Sequence, residues 1–164
     1  ALADRILCAH GTDIHTEKMD YRALAARAKE DRVTGEGKHR SKKRFGSSIA
    51  GHAPARFLCI LNRKLSYIGK ELHLVDTRKY RASQFDHVTG GYTKVPLSTR
   101  WKEVGGHPVQ RDLYSAFLLM NAAGDEHPDT ARCNDTFETF LKFHDTCICE
   151  LKEAGISRPA TFGL

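Results

Sequence analysis

Residues 53–68 constrain the fold of this chain more than any other stretch. Phe57, Leu58, Leu61, Leu65 and Ile68 recur at the three- and four-residue spacing of a helix with one apolar stripe. Pro54 suits the first turn, where its missing N–H is not needed, and Gly69 ends the segment. An apolar stripe must be covered by a second layer, so the neighbouring segments have to supply one.

Residues 2–9 predict the end of a helix stopped by Gly11. Residues 12–19 (TDIHTEKM) predict a short strand anchored by Ile14, and the Ala-rich residues 21–32 predict another helix. Residues 33–48 combine Gly, Ser and a dense basic cluster and predict a loop. Residues 71–76 (ELHLVD) predict a returning strand, and residues 78–106 are turn-rich, with a hairpin tip over Thr89–Tyr92. Two more helices are expected. One covers residues 109–122, with Val109, Leu113, Ala116, Phe117 and Met120 on its inner face; the other covers 135–154, using Phe137, Phe140, Leu141, Ile148 and Leu151. Strands alternating with helices in this order indicate an α/β architecture.

The longest apolar runs, such as Phe57–Leu61, are too short to cross a bilayer, so no membrane partner is expected. Residues 1–9 contain Asp4 and Arg5 and no cleavage-site pattern, which reads against a signal peptide. Five cysteines without a CxxC pair read as reduced thiols, with Cys59 in the core. The net charge is +6 and it is unevenly spread. Residues 20–50 carry nine Lys/Arg against four Asp/Glu, residues 78–111 seven against two, and residues 124–164 four against eight. Basic blocks of this kind favour a polyanionic partner, nucleic acid above all, although a solvated surface accounts for them too.

Two acids stand out: Glu17 at the end of a predicted strand and Asp112 at the start of a predicted helix. Enzymes that hydrolyse phosphodiesters commonly hold divalent ions on carboxylate oxygens, and acids from a strand end and a helix start can converge. By chemistry alone the signal is weak, and a purely structural role for both acids is favoured. A strand-end Glu is usually solvated, and an Asp in a first helical turn usually complements the helix dipole.

The surrounding residues narrow the choice. Residues 109–117 (VQRDLYSAF) resemble the RD-x-x-(N/S)-A signature of the last catalytic helix in RuvC-like, transposase-associated nucleases of the TnpB (OrfB) type. Residues 14–19 (IHTEKM) resemble the strand carrying the second acid of those proteins, with Lys18 where most relatives have Asp or Asn. The basic loop, the Pro54 helix and the ELHLVDT strand follow in the family's order, so the resemblance spans residues 2–121. It implies the C-terminal half of a RuvC/RNase H-like fold. Residues 1–77 would carry the second acid, 78–107 an insert at the zinc-ribbon position, and 108–164 the closing helix with the third acid plus a C-terminal helix.

The family's ribbon has two CxxC pairs, whereas residues 81–101 have no cysteine and resemble a branch in which (K/R)ASQ(F/Y)(D/N)H and a later RW replace it. Zinc is therefore not expected, since His87 and His107 fall short of the four ligands of a structural site. His87 reads instead as a hydrogen-bonding turn residue, and the Cys147/Cys149 pair near His144 as a helix-surface coincidence.

The resemblance implies Glu17 and Asp112 as catalytic and metal-binding acids for Mg2+ or Mn2+. It also implies DNA and a guide RNA as partners of full-length relatives, in a prokaryotic cytoplasm. Lys38, Arg40, Lys42, Lys43 and Arg44 are the first candidates for phosphate contact, giving salt-dependent affinity without sequence readout. Arg100 and Arg111 are further candidates for a phosphate; Arg111 reads equally as a solvated helix-start residue. Trp101 could stack on an unpaired base, but reads more readily as the anchor of a small apolar cluster. The family's first Asp is not matched before Glu17, because Asp13 shares the same strand and Asp4 lies on a helix. These residues alone are thus expected to bind metal weakly and to cut poorly or not at all. A non-catalytic nucleic-acid-binding remnant and a purely structural α/β domain remain the alternatives.

Overall fold

The structure, a computed structural model, describes residues 2–26, 46–96, 98–124 and 127–154. The described residues form helices and three two-stranded sheets, and the chain divides into two compact units, residues 1–14 with 18–73 and residues 15–17 with 74–164.

In the first unit, α1 (Leu2–His10) stops at Gly11, whose φ of +85° suits a residue without Cβ. Helix α2 (Tyr21–Ala25) is capped by Asp20, which accepts the Ala23 N–H at 2.9 Å. The predicted helix thus covers its first turn, and residues 27–45, including the basic loop, lie outside the described residues. Helix α3 (Gly46–His52) corrects the expectation of a loop through residue 48. Gly46 lets the two backbones approach, because a Cβ there would lie 3.2 Å from the Ala25 carbonyl oxygen, and packing of α3 on α2 overrides weak propensity.

Ala53 then breaks the helical path, since a residue before proline is pushed out of the right-handed helical region. Helix α4 (Pro54–Ser66) follows and packs on α1, burying Leu61, Leu65 and Ala3 and pairing Lys64 with Asp4 at 2.6 Å. It ends in a Schellman closure: the Gly69 N–H reaches the Ser66 carbonyl and the Lys70 N–H the Leu65 carbonyl. Ile68 falls in that closing turn and is exposed rather than part of the stripe. Cys59 is exposed as well, because it points away from the face that Leu61 and Leu65 define.

Strand β1 (His15–Glu17) pairs with β2 (His73–Val75); both are shorter than expected. In the second unit, Asp76 caps the short helix α5 (Thr77–Tyr80). Strands β3 (Phe85–Asp86) and β4 (Gly91–Tyr92) form the expected hairpin, whose tip includes Thr89 and Gly90. The chain then builds a second hairpin that periodicity did not reveal, β5 (Trp101–Val104) with β6 (His107–Gln110). Its two-residue turn is Gly105-Gly106, both at positive φ, which matches the twist of a tight hairpin. Val109 is therefore a strand residue, and its side chain is buried with Val104.

Helix α6 (Arg111–Met120) accordingly starts two residues later than predicted, and its inner face differs from the predicted one. Arg111, Tyr114, Phe117 and Leu118 are buried, whereas Ala116 and Met120 are exposed and Leu113 is partly covered. Helix α7 (Thr130–Glu153) starts earlier than predicted, where Asp129 accepts the Arg132 N–H at 3.0 Å. The core joins Val75, Tyr80, Phe85, Val104, Val109, Tyr114, Phe117, Leu118 and Cys133, with Phe137 and Phe140 of α7 packed against it. Each fully buried large side chain contributes on the order of 1.5–3 kcal/mol. Among the described residues no helix is long and apolar enough to cross a membrane.

Candidate acidic site at the start of α6

Helix α6 packs against β1 within the second unit, and this brings the two singled-out acids together. Glu17 ends β1 and is partly buried. Its carboxyl is held above the ordinary value, first because burial penalises its charge and second because the Asp112 carboxylate repels it. Asp112 sits in the first turn of α6 with about half of its side chain open to solvent (52%). A partly covered carboxylate within reach of a second negative charge is electrostatically unfavourable, and a cation nearby would relieve the repulsion.

The residues before Asp112 hold it. Gln110 is fully buried, and its Oε1 accepts the N–H groups of Asp112 at 2.7 Å and Leu113 at 2.8 Å, capping the helix. Gln110 Nε2 donates to Asp112 Oδ2 at 3.4 Å. Arg111 Nε lies 3.7 Å from Asp112 Oδ1, and its NH1 donates to the Pro96 carbonyl at 3.2 Å. At 6% exposure Arg111 is a buried neighbour of the acid, not a solvated helix-start residue. Further back, His144 of α7 accepts the Gln110 N–H at 2.9 Å.

The remaining sequence candidates are placed as follows. Arg100 is partly buried, and its carbonyl accepts the Arg111 N–H at 2.9 Å. Trp101 is partly buried with its ring edge-on to His144, at 5.8 Å between centroids. Lys38, Arg40, Lys42, Lys43 and Arg44 lie outside the described residues. His87 is indeed a hydrogen-bonding turn residue: its backbone N–H donates to the Tyr114 hydroxyl and its Nδ1 lies 2.7 Å from that oxygen. It is also buried against Phe137, where burial pushes its pKa down. His107 is exposed, and Cys149 donates to Glu153 at 3.4 Å.

Among the described residues, one group of three potential metal-ligand side chains clusters elsewhere: Asp13, His15 and His73 have ligand atoms within 4.8 Å of one another. All three are exposed or partly exposed, and the His73–Asp13 pair (3.5 Å) already accounts for part of the cluster. His15 and Asp13 flank Ile14 in the same segment as Glu17, but their chemistry is imidazole with one carboxylate, a softer set than two carboxylates.

Sequence reasoning missed Gln110 and the role of His144. Gln110 adjoins the Arg-Asp pair that drew attention, and its place at a helix cap was hidden by starting that helix at Val109. The His144–Gln110 contact joins residues far apart in the chain, and no spacing signals it. No family model matches the chain, and a search of curated proteins finds no match.

Proposed function

We propose that this chain is the C-terminal half of a RuvC-like, metal-dependent DNA nuclease of the transposase-associated TnpB type, with Glu17 and Asp112 as its second and third acids. The observation that carries the reading is the packing of α6 on β1, which puts these acids, one from a strand end and one from a helix start, within electrostatic influence of each other. The words around each acid, resembling those of the family, support it further. In this reading the small sheet and the helices around it are part of an RNase H-like fold, and the turn-rich residues 78–107 stand in for a zinc ribbon.

Glu17 and Asp112 offer the carboxylate oxygens that a hard divalent ion such as Mg2+ or Mn2+ takes, and the charge of Asp112 raises the Glu17 pKa, so a cation beside them is electrostatically favoured. Glu17 and Asp112 would hold it, and when bound it would supply charge stabilisation and water activation for phosphodiester hydrolysis. Glu17 is kept partly dry, and Asp112 is open to an approaching phosphate. Phosphate contact falls to the basic stretches, giving affinity that weakens with salt. Because two acids stand where the family uses three, these residues by themselves bind the ion weakly and cut poorly. Guide RNA and target DNA are partners of a full-length protein in this reading.

The test is a nicking assay on supercoiled DNA with Mn2+ and a high concentration of the chain. Slow nicking that disappears in both Glu17→Gln and Asp112→Asn supports the reading. Equal nicking by all three proteins sinks it. Salt-sensitive DNA retention unaffected by either change, without nicking, favours a non-catalytic nucleic-acid-binding remnant.

A further inference from the structure

The strand-to-helix junction that carries Asp112 is anchored by a run of hydrogen bonds that begins on α7. Asp145 Oδ1 lies 2.8 Å from His144 Nδ1. His144 is 4% exposed, and its Nε2 receives the Gln110 backbone N–H at 2.9 Å. A ring nitrogen that accepts a backbone N–H carries no proton, so the imidazole proton of this tautomer sits on Nδ1 and is donated to Asp145. The amide of Gln110 is oriented by the same logic. Its oxygen must face the two backbone donors of Asp112 and Leu113, which leaves its NH2 group for the Asp112 carboxylate. With Arg111 Nε near the other oxygen, each oxygen of Asp112 has a protein group beside it.

A helix cap needs none of this. Ser, Thr, Asp and Asn cap with one short side chain, and no buried histidine on another helix is required. Gln reaches further, caps two N–H groups with its oxygen and still has a donor for the carboxylate two residues on. An exposed aspartate that merely complements the helix dipole gains little from being held in place.

We infer that Gln110 and His144 are positioning residues for the Asp112 carboxylate. His144, oriented by Asp145, fixes the backbone of Gln110, and the Gln110 amide then selects one orientation of the Asp112 side chain. Outer groups of this kind orient ligating carboxylates and strengthen their hold on a metal. The purpose of the arrangement rests on the cation reading of Glu17 and Asp112; its geometry does not.

The experiment is NMR on the isotope-labelled full chain. It measures the Asp112 side-chain rotamer populations without metal and the Mg2+ affinity from the shift of the Asp112 amide. His144→Phe keeps a ring against Trp101 and Phe140 but cannot accept the Gln110 N–H. His144→Gln restores an acceptor, Gln110→Met removes the amide, and Asp145→Asn is an exposed change that costs the fold little. The expected result is one dominant rotamer in the native chain and averaged rotamers in His144→Phe and Gln110→Met, with partial averaging in Asp145→Asn and recovery in His144→Gln. Mg2+ affinity falls about ten-fold in step with the averaging. An unchanged Asp112 rotamer in every folded variant overturns the inference, even if Mg2+ binds and Asp112→Asn abolishes that binding. Rotamer averaging in a chain that binds no Mg2+ upholds the positioning and removes the cation reading instead.

Discussion

Glu17 and Asp112, from distant parts of the sequence, lie close enough that the charge on Asp112 lifts the Glu17 carboxyl above its ordinary value. Burial is the larger cause and the second carboxylate adds to it. The charge on Glu17 is therefore held at a local cost, a condition common among acids kept for binding rather than for folding.

Glu17→Gln is accordingly expected to stabilise the chain. A carboxyl with a raised folded-state pKa binds its proton more tightly in the native state, so its contribution is fully present below 4.5, the ordinary value, and is lost as pH rises through the folded value. The gain from Gln should be largest at pH 7 and should vanish near pH 4. Thermal melts of both proteins across that range check it, and a gain that grows toward acid pH contradicts it.

His87 gives the opposite dependence. Burial is the main cause that holds its pKa below 6.5, with Asp86 opposing and Lys102 adding to the depression. Below pH 6.5 the unfolded chain takes up a proton that the folded His87 refuses, so stability is lost as pH falls toward the folded value. The loss from this one group cannot exceed about 1.4 kcal/mol per pH unit. Denaturant titrations at pH 7 and pH 5 should show the fall in the native chain and a smaller one in His87→Phe, which keeps an aromatic ring among Tyr114, Phe117 and Phe137.

The mixture of helices and short strands, the first hairpin tip and the existence of most helices were legible, because they rest on periodicity and on Gly and Pro. What escaped was set by contacts across the chain. The Gly105-Gly106 turn was visible, yet Val109 next to Pro108 fits a helix start as well as a strand, and only the pairing of Trp101 with Gln110 decides. The buried face of α6 is likewise set by its tertiary packing, with Tyr114 and Leu118 inside and Met120 out. At the site, Glu17 and Asp112 were readable as acids with familiar neighbours. Gln110 and His144 were not, because their contact has no sequence spacing of its own.

Tyr114→Phe should cost about 1–3 kcal/mol, because it removes the hydroxyl that serves both the His87 N–H and the His87 ring. Urea denaturation measures the loss directly. A variant as stable as the native chain would show that these buried bonds carry no net stability.

Thiol chemistry tests the corrected burial pattern. Cys8 and Cys59 are exposed and should react first with a disulfide reagent at pH 8. Cys149 is exposed but hydrogen-bonded to Glu153, which raises its pKa, so it should follow more slowly. Cys133 is buried, with its pKa pushed up to about 11, and should stay unreacted until the chain unfolds. Mass spectrometry of the labelled peptides gives the order, and protection of Cys59 would restore it to the core.

Whether Glu17 and Asp112 together hold one divalent ion, as proposed, is decided by Mn2+ binding to the intact chain, followed by electron paramagnetic resonance. Weak binding of one ion is expected, lost in Glu17→Gln and in Asp112→Asn and retained in Asp13→Asn. Binding that survives both acid changes, or that disappears only with Asp13→Asn, would contradict it.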